Sequence, residues 1–109
     1  MNIAIVTGAS SGMGREFALQ LDSCLGKTDE IWLLSRSRES LEELSLSLKT
    51  KSRAVVIDLT DDKALLQFEE VLAIQNPQIT VLVNCAGVGT HKLFAKHSRD
   101  EIEAMIQLN

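Results

Sequence analysis

The sequence has few of the features that mark specialised classes of protein. Of its 109 residues none is tyrosine, one is proline and two are cysteine. Without tyrosine, a reaction that needs a phenolic hydroxyl as its acid is excluded for these residues. No apolar run approaches the length of a membrane span, about 18 residues. Cys24 and Cys85 form no C-x-x-C pair, so we expect two small buried side chains rather than a disulfide or metal site.

The charge and the amino terminus narrow the classes further. A formal net charge of −4 argues against a nucleic-acid binder, which needs a basic face. Met1 leads directly into strand-like sequence without a basic region or cleavage site, so we expect a cytoplasmic protein that does not engage a membrane. With 45% hydrophobic and 24% charged residues, the composition is typical of one globular domain with a small core.

Short apolar runs alternate with amphipathic segments along the chain. The runs predict parallel strands at Ile3–Val6, Ile31–Leu34, Ala54–Ile57 and Ile79–Val83. Helical spacing between them gives three apolar stripes: Met13, Phe17, Leu21, Cys24 and Leu25; Leu41, Leu44 and Leu48; Ala64, Phe68, Leu72 and Gln75. Leu46 lies off the second stripe, where we expect a shallower contact. The pattern β-α-β-α-β-α-β-α predicts an α/β, Rossmann-type doubly wound parallel sheet of four strands in the order 3-2-1-4, forming one half-domain over residues 1–109.

Polar residues and the proline mark the ends of the helices. Ser37 or Ser40 is a candidate cap for the second helix and Thr60 for the third. Pro77 ends the third helix before the fourth strand. The capping box Ser98–Glu101 begins a fourth helix, with Ile102, Met105 and Ile106 on its apolar face.

A glycine-rich turn, Thr7-Gly8-Ala9-Ser10-Ser11-Gly12-Met13-Gly14, joins the first strand to the first helix. Such a turn directs free N–H groups and the positive end of the helix dipole at an anion, so we expect it to hold a phosphate. Its spacing, G-x-x-x-G-x-G, differs from the G-x-G-x-x-G fingerprint and from the lysine-containing phosphate loop. The alternative is a strand–helix turn without a ligand.

The other strand ends carry further candidates, because ligands of open parallel sheets bind beyond the carboxyl ends of the strands. Arg36 follows the second strand, where an acid usually meets the ribose 2′-hydroxyl of NAD. An arginine there suits a 2′-phosphate. Arg38 competes for that role, and a solvated surface arginine is the alternative.

The ends of the third and fourth predicted strands also carry candidate ligand-binding residues. Asp58 and Leu59 follow the third strand, where the carboxylate can accept from an adenine amino group or merely cap the loop that leads to Thr60. The fourth strand ends in Asn84-Cys85-Ala86-Gly87. Small residues there permit close approach of a ligand, and Asn84 can tie neighbouring strand ends together.

These motifs, at these separations, closely resemble the short-chain dehydrogenases/reductases over the whole length of the chain. The resemblance implies a Rossmann fold that binds NAD(P), with the following contacts: Gly8, Gly12 and Gly14 in the turn; Ser10, Ser11 and Met13 at the phosphates; Asp58 and Leu59 at the adenine; Asn84, Ala86 and Gly87 along the cofactor. Ser35-Arg36 resembles the version of the family that prefers NADP to NAD. The resemblance also implies that Asn109 holds a water of the proton relay, the alternative being a frayed terminal residue.

The family's catalytic serine and its Tyr-x-x-x-Lys pair lie beyond these 109 residues. We therefore expect the amino-terminal, cofactor-binding half of an oxidoreductase that acts on a carbonyl or alcohol, with no activity in this chain alone. His91 and His97 lie in a polar loop and are not convincing substitutes. The alternatives are a non-catalytic dinucleotide-binding or regulatory module, or a chain that folds and binds nothing. We also expect that the chain associates with itself, or pairs with another chain, through the exposed edge of the fourth strand, Ile79–Asn84.

Overall fold

The computed structural model describes residues 1–10, 12–24, 26 and 28–86. Its elements are β1 (Asn2–Thr7), α1 (Gly12–Cys24), β2 (Glu30–Ser35), α2 (Arg38–Ser47), β3 (Ser52–Val56), α3 (Asp62–Gln75) and β4 (Gln78–Asn84). The strands form a parallel sheet in the order β3-β2-β1-β4, which confirms the predicted α/β fold. The fourth helix predicted from Ser98–Glu101 lies outside the described residues.

Both faces of the two central strands, β1 and β2, are covered, and these strands contribute alternate side chains to two layers. The layer beneath α1 and α2 is built on Ala4, Val6, Ile31 and Leu33. The layer beneath α3 is built on Ile3, Ile5, Trp32 and Leu34. Since neither face of these strands meets water, their sequences are continuous apolar runs instead of alternating ones.

The packing of α1 differs from the predicted stripe. The helix buries Gly14 and Ala18 against the sheet, whereas Met13 is 70% and Phe17 is 41% exposed. Small residues face inward here because the helix approaches the backbone of the preceding turn closely. The predicted burial of Cys24 is also wrong, since this residue is exposed at the end of α1.

The predictions for the helix ends are partly confirmed. Ser37 caps α2, its hydroxyl accepting from the backbone N–H of Ser40. The cap of α3 is Asp61 and not Thr60, because Asp61 Oδ1 accepts from two backbone N–H groups in the first turn. That helix ends with Asn76 in a left-handed conformation, φ 44°, directly before Pro77. The shallow contact expected for Leu46 is wrong, since its side chain is 89% exposed.

Strand β3 begins two residues earlier than its apolar run. Ser52 and Arg53 pair with Ile31 and Trp32 of β2. The Arg53 guanidinium lies 4.7 Å from the centroid of the Trp32 ring, which gives a charged residue a favourable place on this edge strand. The apolar pattern missed these two positions because neither residue is hydrophobic.

Two classes of feature are not found among the described residues. None of the helices there is long and apolar enough to cross a membrane. Nor does this part of the chain gather three or more metal-ligating side chains. Both cysteines are free, and Cys85 is half-buried at the end of β4.

Asp22 joins the end of α1 to the loop between α2 and β3. Its carboxylate accepts from the backbone N–H groups of Lys49 at 2.9 Å and Thr50 at 2.8 Å. Partial desolvation alone would raise the pKa of Asp22, but these backbone hydrogen bonds hold the pKa below its usual value. The ionised carboxylate therefore stabilises the folded state.

We predict that Asp22→Asn lowers the free energy of unfolding by about 1–2 kcal/mol at neutral pH, because an amide cannot accept both bonds. Since the folded-state pKa lies below the unfolded value of about 3.9, the wild-type advantage is complete above that pH. It disappears as the pH falls through the folded-state pKa. Urea unfolding at neutral and acid pH measures the difference. Glu43→Gln, an exposed change on α2, is the control, and an equal loss in both variants contradicts the assignment.

Candidate functional site

The carboxyl ends of the four parallel strands bring the predicted site residues to one edge of the sheet. The turn at Gly8 follows β1, Arg36 follows β2, Asp58 follows β3, and Ala86 lies just beyond β4. This is the edge at which open α/β sheets bind their ligands. Three predicted site residues, Ser11, Gly87 and Asn109, lie outside the described residues.

The glycine turn is held by close backbone contacts. Gly8 and Gly12 have positive φ angles, 64° and 60°, which glycine adopts readily. A Cβ on Gly14 would clash with the carbonyl oxygen of Gly8, and one on Gly8 would lie 2.7 Å from that of Cys85. These two glycines therefore pack α1, the turn and the end of β4 against each other. Gly12 is different, since a Cβ there would meet nothing within 4 Å.

The amino terminus of α1 suits an anion better than those of α2 and α3. Glu39 and Asp62 place acids in the first turns of α2 and α3, and side chains cap both helices. The first turn of α1, residues 12–15, contains no acid. The positive end of its dipole is therefore not offset by a nearby carboxylate of that turn. Ser10 is half-buried in the turn, and Met13 is exposed beside it.

The Thr7 hydroxyl connects β1 to the residues that end β4. Its Oγ1 donates to Asn84 Oδ1 at 2.8 Å and accepts from the backbone N–H groups of Cys85 at 3.0 Å and Ala86 at 3.1 Å. Thr7 is buried, so these bonds replace water at groups that would otherwise be unpaired. The expectation that Asn84 ties neighbouring strand ends is confirmed. The sequence analysis did not identify Thr7 as its partner, and the available signal was a hydroxyl at the end of a buried apolar strand.

Asp58 is oriented by the loop that follows it. The backbone N–H and the hydroxyl of Thr60 donate to Asp58 Oδ1 at 3.0 and 2.7 Å. These two bonds, and more weakly the charge of Arg36, hold the pKa of Asp58 below its usual value. The loop-capping contact considered for Asp58 is thus present. Leu59 beside it is half-buried against the layer beneath α3.

The two arginines at the end of β2 differ in their partners. Arg38 lies 3.7 Å from Glu42 in an i,i+4 ion pair on α2. Within residues 28–86 the cations in ion pairs are Arg38 and Lys51, so Arg36 has its charge available at the edge of the sheet. The backbone N–H of Ser37 donates to the side-chain Oγ of Ser35 at 3.0 Å, and this hydrogen bond closes the loop that contains Arg36.

Comparison with known proteins identifies one family. Residues 2–109 match the sequence model of the family described as short chain dehydrogenase. The chain is 35% identical to a very-long-chain 3-oxoacyl-CoA reductase from Lodderomyces elongisporus, over 99% of this chain and 32% of that protein. It thus spans about a third of the length of this relative.

Solved structures show the same fold. A short-chain dehydrogenase from Sphingobium yanoikuyae, in complex with NADPH, superposes with a TM-score of 0.84 at 27% identity, covering 99% of this chain and 42% of that one. A metagenomic short-chain oxidoreductase in complex with NADP superposes with a TM-score of 0.83 at 29% identity, covering 98% and 49%.

We predict that Thr7→Val destabilises the protein by about 2–3 kcal/mol, because it leaves the Cys85 and Ala86 N–H groups without their acceptor. Thr7→Ser keeps the hydroxyl and loses one methyl group, so it should cost about 1 kcal/mol. Urea unfolding of both variants measures the difference. Equal destabilisation would show that packing, and not the hydroxyl, accounts for the effect.

Proposed function

We propose that this chain, which belongs to the short-chain dehydrogenase family, is the NADP(H)-binding half-domain of an oxidoreductase. The intact enzyme would transfer a hydride between the cofactor and a carbonyl or alcohol substrate. The observation that carries the proposal is Arg36 at the end of β2, which forms no ion pair within 4 Å with the described residues. Strand β2 is next to β1, and the helix that follows β1 has no acid in its first turn. A relative named for reducing a 3-oxoacyl group supports a carbonyl substrate. The free cysteines are consistent with a cytoplasmic protein.

The residues at the strand ends fit a dinucleotide. Gly8, Gly12 and Gly14 let the backbone at the start of α1 approach the pyrophosphate, with Ser10 and Met13 beside it. When bound, the cofactor supplies the hydride donor or acceptor, and the residues of this chain bind and orient it.

Side chains of the later strand ends would complete the contacts. Asp58 would accept from the adenine amino group with Leu59 against the ring, while Asn84 and Ala86 would lie along the cofactor. Ser11, Gly87 and Asn109 are proposed for the phosphates, the cofactor and a relay water from the family resemblance.

The preference for NADP rests on Arg36. A guanidinium makes charge-assisted hydrogen bonds to a 2′-phosphate, whereas NAD offers a hydroxyl in the same place. The two similar structures solved with NADPH and NADP support this choice of cofactor.

We predict that Arg36→Ala weakens NADPH binding about tenfold or more, the equivalent of one charge-assisted hydrogen bond, and changes NADH binding little. Arg36→Asp should reverse the preference. Titration calorimetry of the full chain with each cofactor measures both affinities. Arg38→Ala is the matched control, because Arg38 already pairs with Glu42. Wild-type binding of NADH as tight as that of NADPH would contradict the role of Arg36.

We also propose that these 109 residues bind cofactor without turnover. Hydride transfer to a carbonyl leaves negative charge on oxygen, which needs a positioned acid. The sequence contains no tyrosine to serve as the family's acid.

The proposed self-association rests on β4. This strand contains no charged residue and no proline, and its Ile79 and Leu82 side chains are 46% and 64% exposed. Strand β3, at the other edge of the described sheet, carries Arg53 and follows Lys51. Charged residues discourage pairing between sheet edges, so β4 is the edge suited to a second copy of this chain.

We predict that the chain associates with itself at high micromolar concentration and that Leu82→Lys reduces this association, because the charge must be desolvated at the interface. Leu46→Lys, at an exposed leucine of α2, should have no effect. Size-exclusion chromatography with light scattering gives the mass. A monomeric wild type at that concentration would contradict the proposal.

A further inference from the structure

The ends of β2 and β3 place a cation and a carboxylate at neighbouring positions. The backbone N–H of Ile57 donates to the carbonyl oxygen of Ser35 at 2.9 Å. Ser35 is level with Val56 in the paired strands, so Arg36 and Asp58 leave adjacent strands that are about 5 Å apart. Arg36 directly follows β2, and Asp58 lies just beyond the hydrogen-bonded Ile57 at the end of β3.

The two charges interact without a salt bridge. Among the described residues, the ion pairs within 4 Å are Arg38–Glu42 and Lys51–Glu30. The charge of Arg36 nevertheless lowers the pKa of Asp58, after the larger effect of the Thr60 hydrogen bonds. Thr60 also fixes the carboxylate, through the two bonds to its Oδ1. At neutral pH the Asp58 carboxylate is therefore ionised and held in place by Thr60, and its charge interacts with that of Arg36.

We propose that Asp58 limits the preference of this chain for NADP(H) over NAD(H), by reducing the positive potential that Arg36 presents to a 2′-phosphate. This role rests on the proposed function. The carboxylate attracts the guanidinium and repels the phosphate, and both effects oppose binding of the phosphorylated cofactor. The uncharged 2′-hydroxyl of NAD(H) experiences neither effect. Asp58 thus affects the discrimination between NADP(H) and NAD(H) through Arg36, in addition to its proposed contact with adenine.

The other charged side chains near this edge either have partners of their own or lie in the first turn of α3. Arg38 is paired with Glu42, and Asp61 accepts the cap bonds of α3. Asp62 and Lys63 follow in the first turn of that helix with opposite charges. Of these groups, Asp58 is the carboxylate that lies nearest in sequence to the end of β3, the strand next to β2.

Calorimetry with NADPH and NADH on the full chain tests the role through Asp58→Asn. Asparagine keeps the oxygen that accepts from Thr60 and removes the charge. The proposed adenine contact is weakened equally for the two cofactors, which share that base, so its loss cancels in the ratio of their affinities. We expect the ratio of the NADH to the NADPH dissociation constant to rise about two- to fivefold at low salt, as for solvent-exposed charges several ångströms apart. The gain should shrink at high salt, where such interactions are screened. Glu69→Gln removes the same charge from the exposed middle of α3 and should leave the ratio unchanged.

The outcomes separate this role from the proposed function. A ratio that stays constant or falls in Asp58→Asn, while the wild type binds both cofactors, overturns the role of Asp58 alone. A wild type that binds neither cofactor overturns both. A titration of the Asp58 carboxyl by NMR tests the coupling without any cofactor: Arg36→Gln should raise its pKa, and an unchanged pKa overturns the role.

Discussion

The close backbone contact at the carboxyl end of β1 is the constraint on which the rest of the site depends. Gly14 of α1 lies against the carbonyl of Gly8, and Gly8 lies against the backbone of Cys85. The turn, the start of α1 and the end of β4, which is distant from both in sequence, therefore meet with no side chain between them. Because Thr7 then hydrogen-bonds the same end of β4, the start of α1 and the end of β4 are held in one fixed arrangement. A ligand at this edge would meet backbone positions that these contacts define.

The strands and their order could be predicted from the sequence, whereas the face of α1 could not. Continuous apolar runs are typical of strands covered on both sides, and the handedness of crossovers leaves few orders to consider. For α1, helical periodicity favours large apolar residues such as Phe17, but the contact with the turn leaves no room for a side chain at Gly14. The other buried residue of the helix is the small Ala18. Thr60 and Asp61 are both suitable caps by type, and only the path of the loop decides between them.

The positions of the site residues could be predicted, but their partners could not. In a parallel sheet the residue that follows each strand must lie at the same edge, so the location of Arg36 and Asp58 follows from the strand assignments alone. Which hydroxyl bonds which carboxylate depends on loop geometry, as in the contact of Thr60 with Asp58. The difference between Arg36 and Arg38 likewise depends on Glu42 lying one helical turn away, a pairing that becomes clear once α2 is known to begin at Arg38.

The proposed recognition of the cofactor has two parts: backbone contacts that the fold provides, and side-chain contacts that depend on which residues follow the strands. Backbone N–H groups at the start of α1 would hold a pyrophosphate, and NAD and NADP share that group, so this contact contributes affinity without discrimination. Discrimination requires side chains at the end of β2, because the 2′-position is where the two cofactors differ. Arg36 and Asp58 lie on loops outside the strands and are not needed for the glycine contacts. If the proposed function is correct, substitution of these two residues would therefore change the cofactor preference while the sheet and the glycine turn stay as they are.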